Sequence, residues 1–254
     1  MLRVDRMEII PVLGIGLAKE GDDVAELIMD GVKKSGINLE DGDVVVVAHS
    51  LVSKAEGKIV KLDEVTPSHH AIHLAKATGK DPRHVETVLR NAAKILRIGH
   101  GVIICETHHG FVCANAGVDA SNSGGEAFLI TLPDDPDESA HRIRSGLRRL
   151  AGVDVAVVIT DSWGRPFRKG AVNVAIGCSG INPLLDLRGR KDLYGRVLRS
   201  KIICVADQIA AAAGLVMGEA DEGTPAAVVK GLQYDKTNIP ARTIIREEDE
   251  DLFR

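Results

Sequence analysis

Hydrophobic positions along the chain fall into short β-branched runs separated by stretches that repeat every three to four residues. The runs at 7–12, 43–49, 101–106, 111–114, 154–160, 172–176 and 226–229 read as strands. Between them, 22–34, 68–78, 82–97, 138–150 and 201–217 carry apolar residues at helical spacing. The fourth helix has Asp135, Asp137 and Glu138 around its start, Arg148 and Arg149 in its last turn and Gly152 as its stop, an order of charge that suits the helix dipole. The segment from Gly99 to Gly117 predicts two strands joined at His108, His109 and Gly110, so at least one strand pair is antiparallel. These elements imply an α+β protein: a mixed, partly antiparallel sheet with flanking helices. The expected organisation is a single domain over 1–254 with two intimately joined lobes of discontinuous boundaries. No internal repeat or linker interrupts the pattern, and the charged stretch 246–251 reads as a solvated tail.

Composition narrows the function classes. With 254 residues, 44% hydrophobic and 27% charged, the chain is long enough for a sizeable core and unlike a disordered, fibrous or disulfide-stapled protein. Aromatic residues make up only 3% while glycines number 26, so the core is aliphatic and tight turns are plentiful. A net charge of −4 gives no general attraction to nucleic acid, and any polyanionic ligand must be held by local cations or metal. The apolar stretch 9–18 is broken by Pro11, Gly14 and Gly16 and is too short for a membrane span. The start lacks a signal-peptide pattern, so the expected location is the cytoplasm, with Cys105, Cys113, Cys178 and Cys204 reduced.

Five stretches carry candidate chemistry. PVLGIG (11–16) follows a strand and offers glycines for close backbone approach, although it matches neither a Walker loop nor a dinucleotide fingerprint. The strand at 43–49 runs into His49, Ser50, Ser53 and Lys54, where a hydroxyl and a lysine suit a phosphate as well as they suit solvent. In ANAGVDASNSGGE, Asp119 offers oxygen to a hard cation and Asn122 an amide to a phosphate or nucleoside; the alternative is an Asx-rich surface turn. VAVVITDSWGRPFRKG is the strongest signal: a strand ends at Asp161 and Ser162, oxygen ligands for Mg²⁺ or Mn²⁺, and a loop with Arg165, Arg168 and Lys169 follows. The acids Glu219, Asp221 and Glu222 in a glycine-flanked loop either complete a metal site or are solvated. Cys105, His108, His109 and Cys113 have zinc-type side chains but not zinc-knuckle spacing, and His69, His70 and His73 read as solvated or capping residues.

PVLGIG, HSLVSKAEGK, NAGVDASN, TDSWGRPFRKG and VMGEADEGTPAAVVKG, in that order from about Met7 to Ile244, resemble the F420:γ-glutamyl ligase family. The resemblance implies GTP-dependent addition of L-glutamate to coenzyme F420-0, releasing GDP and phosphate, with a second, γ-linked glutamate able to follow. It also implies Mg²⁺ or Mn²⁺, two ions, with K⁺ as a helper, and a homodimer. Carried over by resemblance, the nucleotide contacts fall on Pro11, Val12, Leu13, Gly14, His49, Ser50, Lys54 and Asn122, and on Met217, Gly218, Glu219, Ala220, Asp221, Glu222, Gly223 and Thr224. The metal contacts fall on Asp119, Asp161, Ser162 and Glu219. Many members read Ser-Lys where this chain has His49 and Ser50, which leaves the role of His49 open.

Amide formation from a carboxylate is uphill in water, so the resemblance and the chemistry both point to an acyl phosphate made from GTP and attacked by the glutamate amine. Asp161, Arg165, Arg168 and Lys169 are the expected catalytic group, the cations receiving the acidic substrates. A metal-dependent phosphohydrolase, or a non-catalytic deazaflavin or nucleotide carrier, would use the same acids and cations. Phosphate release without glutamate, or ligand binding without GDP, distinguishes these alternatives.

Overall fold

A computed structural model describes residues 6–99 and 101–253. In chain order the elements are β1 (Glu8–Pro11), α1 (Val24–Lys34), β2 (Val44–Ala48), α2 (His49–Ala55), β3 (Ile59–Lys61), α3 (His69–Thr78), α4 (Pro82–Asn91), β4 (Ala92–Gly99), β5 (Val102–Thr107), β6 (Val112–Ala114), β7 (Phe128–Ile130), α5 (Pro136–Ala151), β8 (Ala156–Arg165), β9 (Arg168–Ser179), β10 (Leu184–Asp186), β11 (Ile202–Cys204), α6 (Val205–Met217) and β12 (Ala226–Lys230). The largest sheet has the order β1-β12-β2-β8-β9. Only its β2–β8 pair is parallel. The expected α+β class with a mixed sheet is what the chain adopts.

The run Val44–Val47 shows why a continuous apolar strand sits in the middle. Val45 and Val47 point to one face, with α1, α2 and α5, while Val44 and Val46 point to the other, against α6. All four are fully buried. A strand covered on both faces loses the polar alternation of a half-exposed one. On the first face Gly146 of α5 lies against Ala25 of α1, closer than a side chain there would permit. A third apolar cluster lies apart from both: Leu74 and Ala75 of α3, Val85 and Val88 of α4, Ile103 and Cys105 of β5, and Leu129 of β7.

Several boundaries differ from the sequence expectation. The helix expected over 82–97 stops at Asn91, and 92–99 becomes β4, paired antiparallel with β5. That segment alternates enough to pair, and the turn at Gly101, with φ of 76°, brings it back on β5. The strand expected to end at Asp161 continues to Arg165 and returns after two residues as β9, so 161–170 is a β-hairpin and not a loop. His49, expected as a strand end, opens α2. The last long helix begins at Val205 rather than 201, because Ile202–Cys204 pair with β10. The hairpin of β5 and β6 and the left-handed Gly152 that stops α5 are as expected, while Asp135, expected within the first turn, stands just before it as the cap and accepts the Glu138 N–H. Among the described residues no helix is long and apolar enough to cross a membrane.

Candidate active site

The parallel pairing of β2 with β8 sets Ala48 beside Thr160, so the residues that follow, His49 opening α2 and Asp161 continuing β8 beyond the end of β2, come together at the C-terminal edge of that pair. Open α/β sheets place ligands at this edge. One residue earlier β9 carries a bulge: Ile159 faces Gly177 but Thr160 faces Ala175. Asp207 of α6 fixes it by accepting the Ala175 N–H at 2.9 Å. Beyond the bulge the β8–β9 hairpin rises past the sheet and walls a cleft of about 680 Å³. The start of α2, the Gly117–Asn122 region and the loop from Met217 to Pro225 form the other walls.

Asp161 is the most heavily partnered group in the cleft. Its Oδ1 accepts the Ser162 N–H at 2.7 Å and faces His49 Nε2 at 3.3 Å, and its Oδ2 accepts Trp163 Nε1–H at 2.6 Å. Burial penalises the charged form of both Asp161 and His49. The His49 charge and the donor hydrogen bonds nevertheless hold Asp161 below its ordinary value, and Asp161 in turn holds His49 above its own. Behind Trp163 lies Phe111, ring centroids 5.3 Å apart and edge-on, and behind that His109.

Asp119 arrives by a different route. After β6 the chain takes three successive left-handed residues, Asn115, Ala116 and Gly117, with φ of 52°, 53° and 70°. Two of these carry side chains, an arrangement that costs on the order of 1–2 kcal/mol per residue. It persists because Ala116 is buried in the third cluster and Asn115 accepts the Ile103 N–H. Asp119 then accepts from both the N–H and the hydroxyl of Ser121, at 2.8 and 2.6 Å. Lys54 projects from α2 into the same cleft; burial lowers its pKa and Asp119 opposes that shift. Asn122, also left-handed, donates to the Ala220 carbonyl at 3.1 Å and ties this loop to the one after α6. There Glu222 accepts the Ala220 N–H, and backbone donors of this kind hold its carboxyl below the usual value.

The cleft thus gathers His49, Ser50, Lys54, Asp119, Asn122, Asp161, Ser162 and the whole of Met217 to Thr224. Pro11, Val12, Leu13 and Gly14 are not in its lining. Val12 is buried in the core, the Leu13 N–H is bound to Ser35, and the Gly14 carbonyl accepts from Lys34; the residues just after them, Ile15 to Ala18, line the cleft instead. Arg165, Arg168 and Lys169 sit around the hairpin tip, outside the lining, where Phe167 is 89% exposed. Sequence reasoning passed over Trp163 and Asn173. Trp163 was findable, since it stands two residues from Asp161 and shares its face once β8 is continued.

Five carboxylates (Asp119, Asp161, Glu219, Asp221 and Glu222) line the cleft against Lys54 and His49. A polyphosphate would be repelled there unless cations came with it. Among the described residues no three His, Cys, Asp or Glu side chains close on one point. These oxygen donors fit a divalent cation shared with bound phosphates, since Mg²⁺ is usually held by one or two carboxylates plus the substrate rather than by a protein cage.

A family model described as F420-0:gamma-glutamyl ligase matches residues 13–231. The chain belongs to that family. It is 52% identical to the coenzyme F420:L-glutamate ligase of Methanopyrus kandleri over 93% of both chains. It is 46% identical to the ligase of that name from Methanothermobacter thermautotrophicus, over 98% of this chain and 99% of the relative. The corresponding figures for Archaeoglobus fulgidus are 45%, 98% and 97%. The family match makes this chain an enzyme, a ligase, and spans every cleft-lining segment described above.

Proposed function

We propose that the protein adds L-glutamate to coenzyme F420-0 at the expense of GTP, first one residue and then a second through the γ-carboxylate, giving F420-1 and F420-2. The observation that carries this reading is near full-length similarity to relatives named coenzyme F420:L-glutamate ligase, together with an acid-lined cleft at the end of β2 and β8.

In this reading an F420-0 carboxylate oxygen attacks the γ-phosphorus of GTP; the new O–P bond forms as the bond to the β-bridging oxygen breaks, and GDP leaves. The glutamate amine then attacks the acyl carbon, a C–N bond replaces the C–O bond, phosphate departs, and the amine proton passes to solvent or phosphate. Such transfers depend on positioning and charge neutralisation more than on a protein nucleophile. Lys54 contributes a point charge toward the phosphates, and the Met217–Thr224 loop and Asn122 hold the nucleotide between them. Asp119, Asp161, Ser162 and Glu219 are the residues that would hold Mg²⁺ or Mn²⁺, two ions with K⁺ as a helper. When bound, these cations neutralise phosphate oxygens that the carboxylates would otherwise repel. Arg165, Arg168 and Lys169 lie outside the lining and act in this reading as long-range attraction for the acidic acceptor. We place the enzyme in the cytoplasm as a homodimer, with small-molecule partners and neither nucleic acid nor membrane. Its 254 residues act as one domain of two lobes, the third apolar cluster forming the second.

The test is mass spectrometry of the deazaflavin after incubation with F420-0, L-glutamate, GTP and Mn²⁺, with controls lacking glutamate or GTP. A gain of one or two glutamyl units absent from both controls supports the reading. GDP formed without glutamate and without any mass gain points to a phosphohydrolase, and neither product to a carrier.

A further inference from the structure

Asp161 is held from α2 by His49 and from its own strand β8 by Trp163, and the polar ring atom of each holder that faces it is committed to it. His49 is buried on α2, its Nε2 toward Asp161 at 3.3 Å and its Nδ1 toward Ser53 Oγ at 3.4 Å. With Ser53 serving Nδ1, Nε2 is left facing the carboxylate whether the ring is neutral or charged, so both ring nitrogens have a partner and neither is left for a nucleotide. Trp163 is the single tryptophan of the chain. Its indole N–H is spent on Asp161 at 2.6 Å, and its ring packs edge-on against Phe111. Phe111 is stacked in turn on His109, whose Nε2 is anchored on the Pro133 and Asp134 carbonyls. A chain with seven aromatic side chains in all places two of them in this stack beside one aspartate.

A carboxylate has about four acceptor positions. Ser162 N–H, His49 and Trp163 engage three, two on Oδ1 and one on Oδ2, which leaves one acceptor position of Oδ2 without a partner among the described residues, on a residue that lines the cleft. We propose that His49 and Trp163 are positioning residues that clamp the Asp161 carboxylate so that it presents a single oxygen lone pair to a divalent cation, and that His49 does not contact the nucleotide. The proposal rests on Asp161 being a cation ligand, as the proposed function has it. Partners of this type orient ligands and typically account for ten- to a hundredfold in metal affinity.

The test is Mn²⁺ binding, read as free Mn²⁺ by electron paramagnetic resonance with GTP present, on wild type, W163F, H49L, H49Q and D161N. W163F keeps an aromatic ring toward Phe111 and loses the donor along with part of the bicycle; H49Q keeps a donor amide where H49L has none. Expected are about tenfold weaker Mn²⁺ binding in W163F and H49L, recovery to near wild type in H49Q, and near-complete loss in D161N, with W163F and H49Q melting close to wild type. In wild type, Mn²⁺ should also quench the emission of the single tryptophan. Wild-type affinity in W163F and H49L with loss in D161N would overturn the clamp and leave the metal role of Asp161 intact. Wild-type affinity in D161N would overturn both. Failure of H49Q to recover would remove His49 from the clamp, and should H49L not fold, W163F and H49Q carry the test.

Discussion

The stretch from Thr160 to Gly170 has two physical halves. Thr160, Asp161, Ser162 and Trp163 sit where β8 leaves the sheet, half-buried or buried, with Asp161 engaged by three donors. Five residues on, Arg165, Arg168 and Lys169 surround an exposed tip in which the nearest partners of Arg165 Nη2 are two carbonyls at 3.4 Å, the outer limit for a hydrogen bond. The first half has a single charged residue and the second has three, yet only the first has its charge held in place. The difference comes from what flanks each half: β2, α2 and Phe111 stand around Asp161, whereas Arg168 is exposed and the tip beside it meets the rest of the chain through Phe167 against Phe253, ring centroids 5.7 Å apart. Charge density in the sequence marks where an anion could be attracted, whereas chemistry needs the fixed half.

Asp161 is the residue on which the fixed half depends most. D161A should lower turnover by about a hundred- to a thousandfold, the scale associated with losing a fixed electrostatic group, with the fold intact by circular dichroism. Turnover within tenfold of wild type would remove the distinction between the halves. The wall beneath is the next largest effect. Ile159, fully buried in the same strand, should cost about 2–5 kcal/mol when cut to alanine, read as a fall in denaturation midpoint. Gly218 follows. At φ 76° and ψ 177° it occupies a region essentially closed to side chains, and a Cβ there would run into the Glu222 carboxyl. G218V should cost on the order of 1–3 kcal/mol of local strain and appear as a raised KM for GTP more than as a lowered melting temperature.

What the sequence made legible was local. The β5–β6 hairpin and the capped helix α5 are specified by neighbouring residues, Gly110 at one turn and Asp135 and Gly152 at two helix ends, and they needed no distant partner. β4 was not legible because its pattern suits either a helix or a strand, and pairing with β5 decides between them. The acids and the lysine of the cleft were readable as strings. Their convergence was not, since it depends on the parallel register of Ala48 with Thr160, a pairing between segments far apart in the chain. The same register brings His49 to Asp161 and gives His49 a candidate role that its position in HSLVSKAEGK did not suggest.

The paired charges also predict how the fixed half responds to pH. His49 has a folded-state pKa raised above about 6.5, so its contribution to stability is complete below that value and is lost as pH rises through the folded pKa. Asp161 has a lowered one, so its contribution is present above about 3.9 and is lost as pH falls through the folded value. Unfolding free energy measured by denaturant titration from pH 6 upward should therefore decline in wild type, and the decline should shrink in H49Q, whose amide does not titrate. An unchanged slope in H49Q would mean that the ring is not charged against Asp161 in the folded state.

The smallest effect is expected at the tip. Arg168 and Lys169 are exposed, and their combined replacement by alanine should move stability by no more than about 0.5 kcal/mol. In the proposed function their contribution is long-range attraction of an acidic acceptor, which would act on encounter and be screened by salt over roughly 8–10 Å at ordinary ionic strength. The double variant should therefore raise KM for F420-0 a few-fold at low salt, leave kcat nearly alone, and approach wild type as salt is added. A loss of kcat that salt does not erase would place the tip cations on the reacting groups, and the reach of the reaction would then extend beyond the cleft lined by Asp119, Asp161 and Lys54.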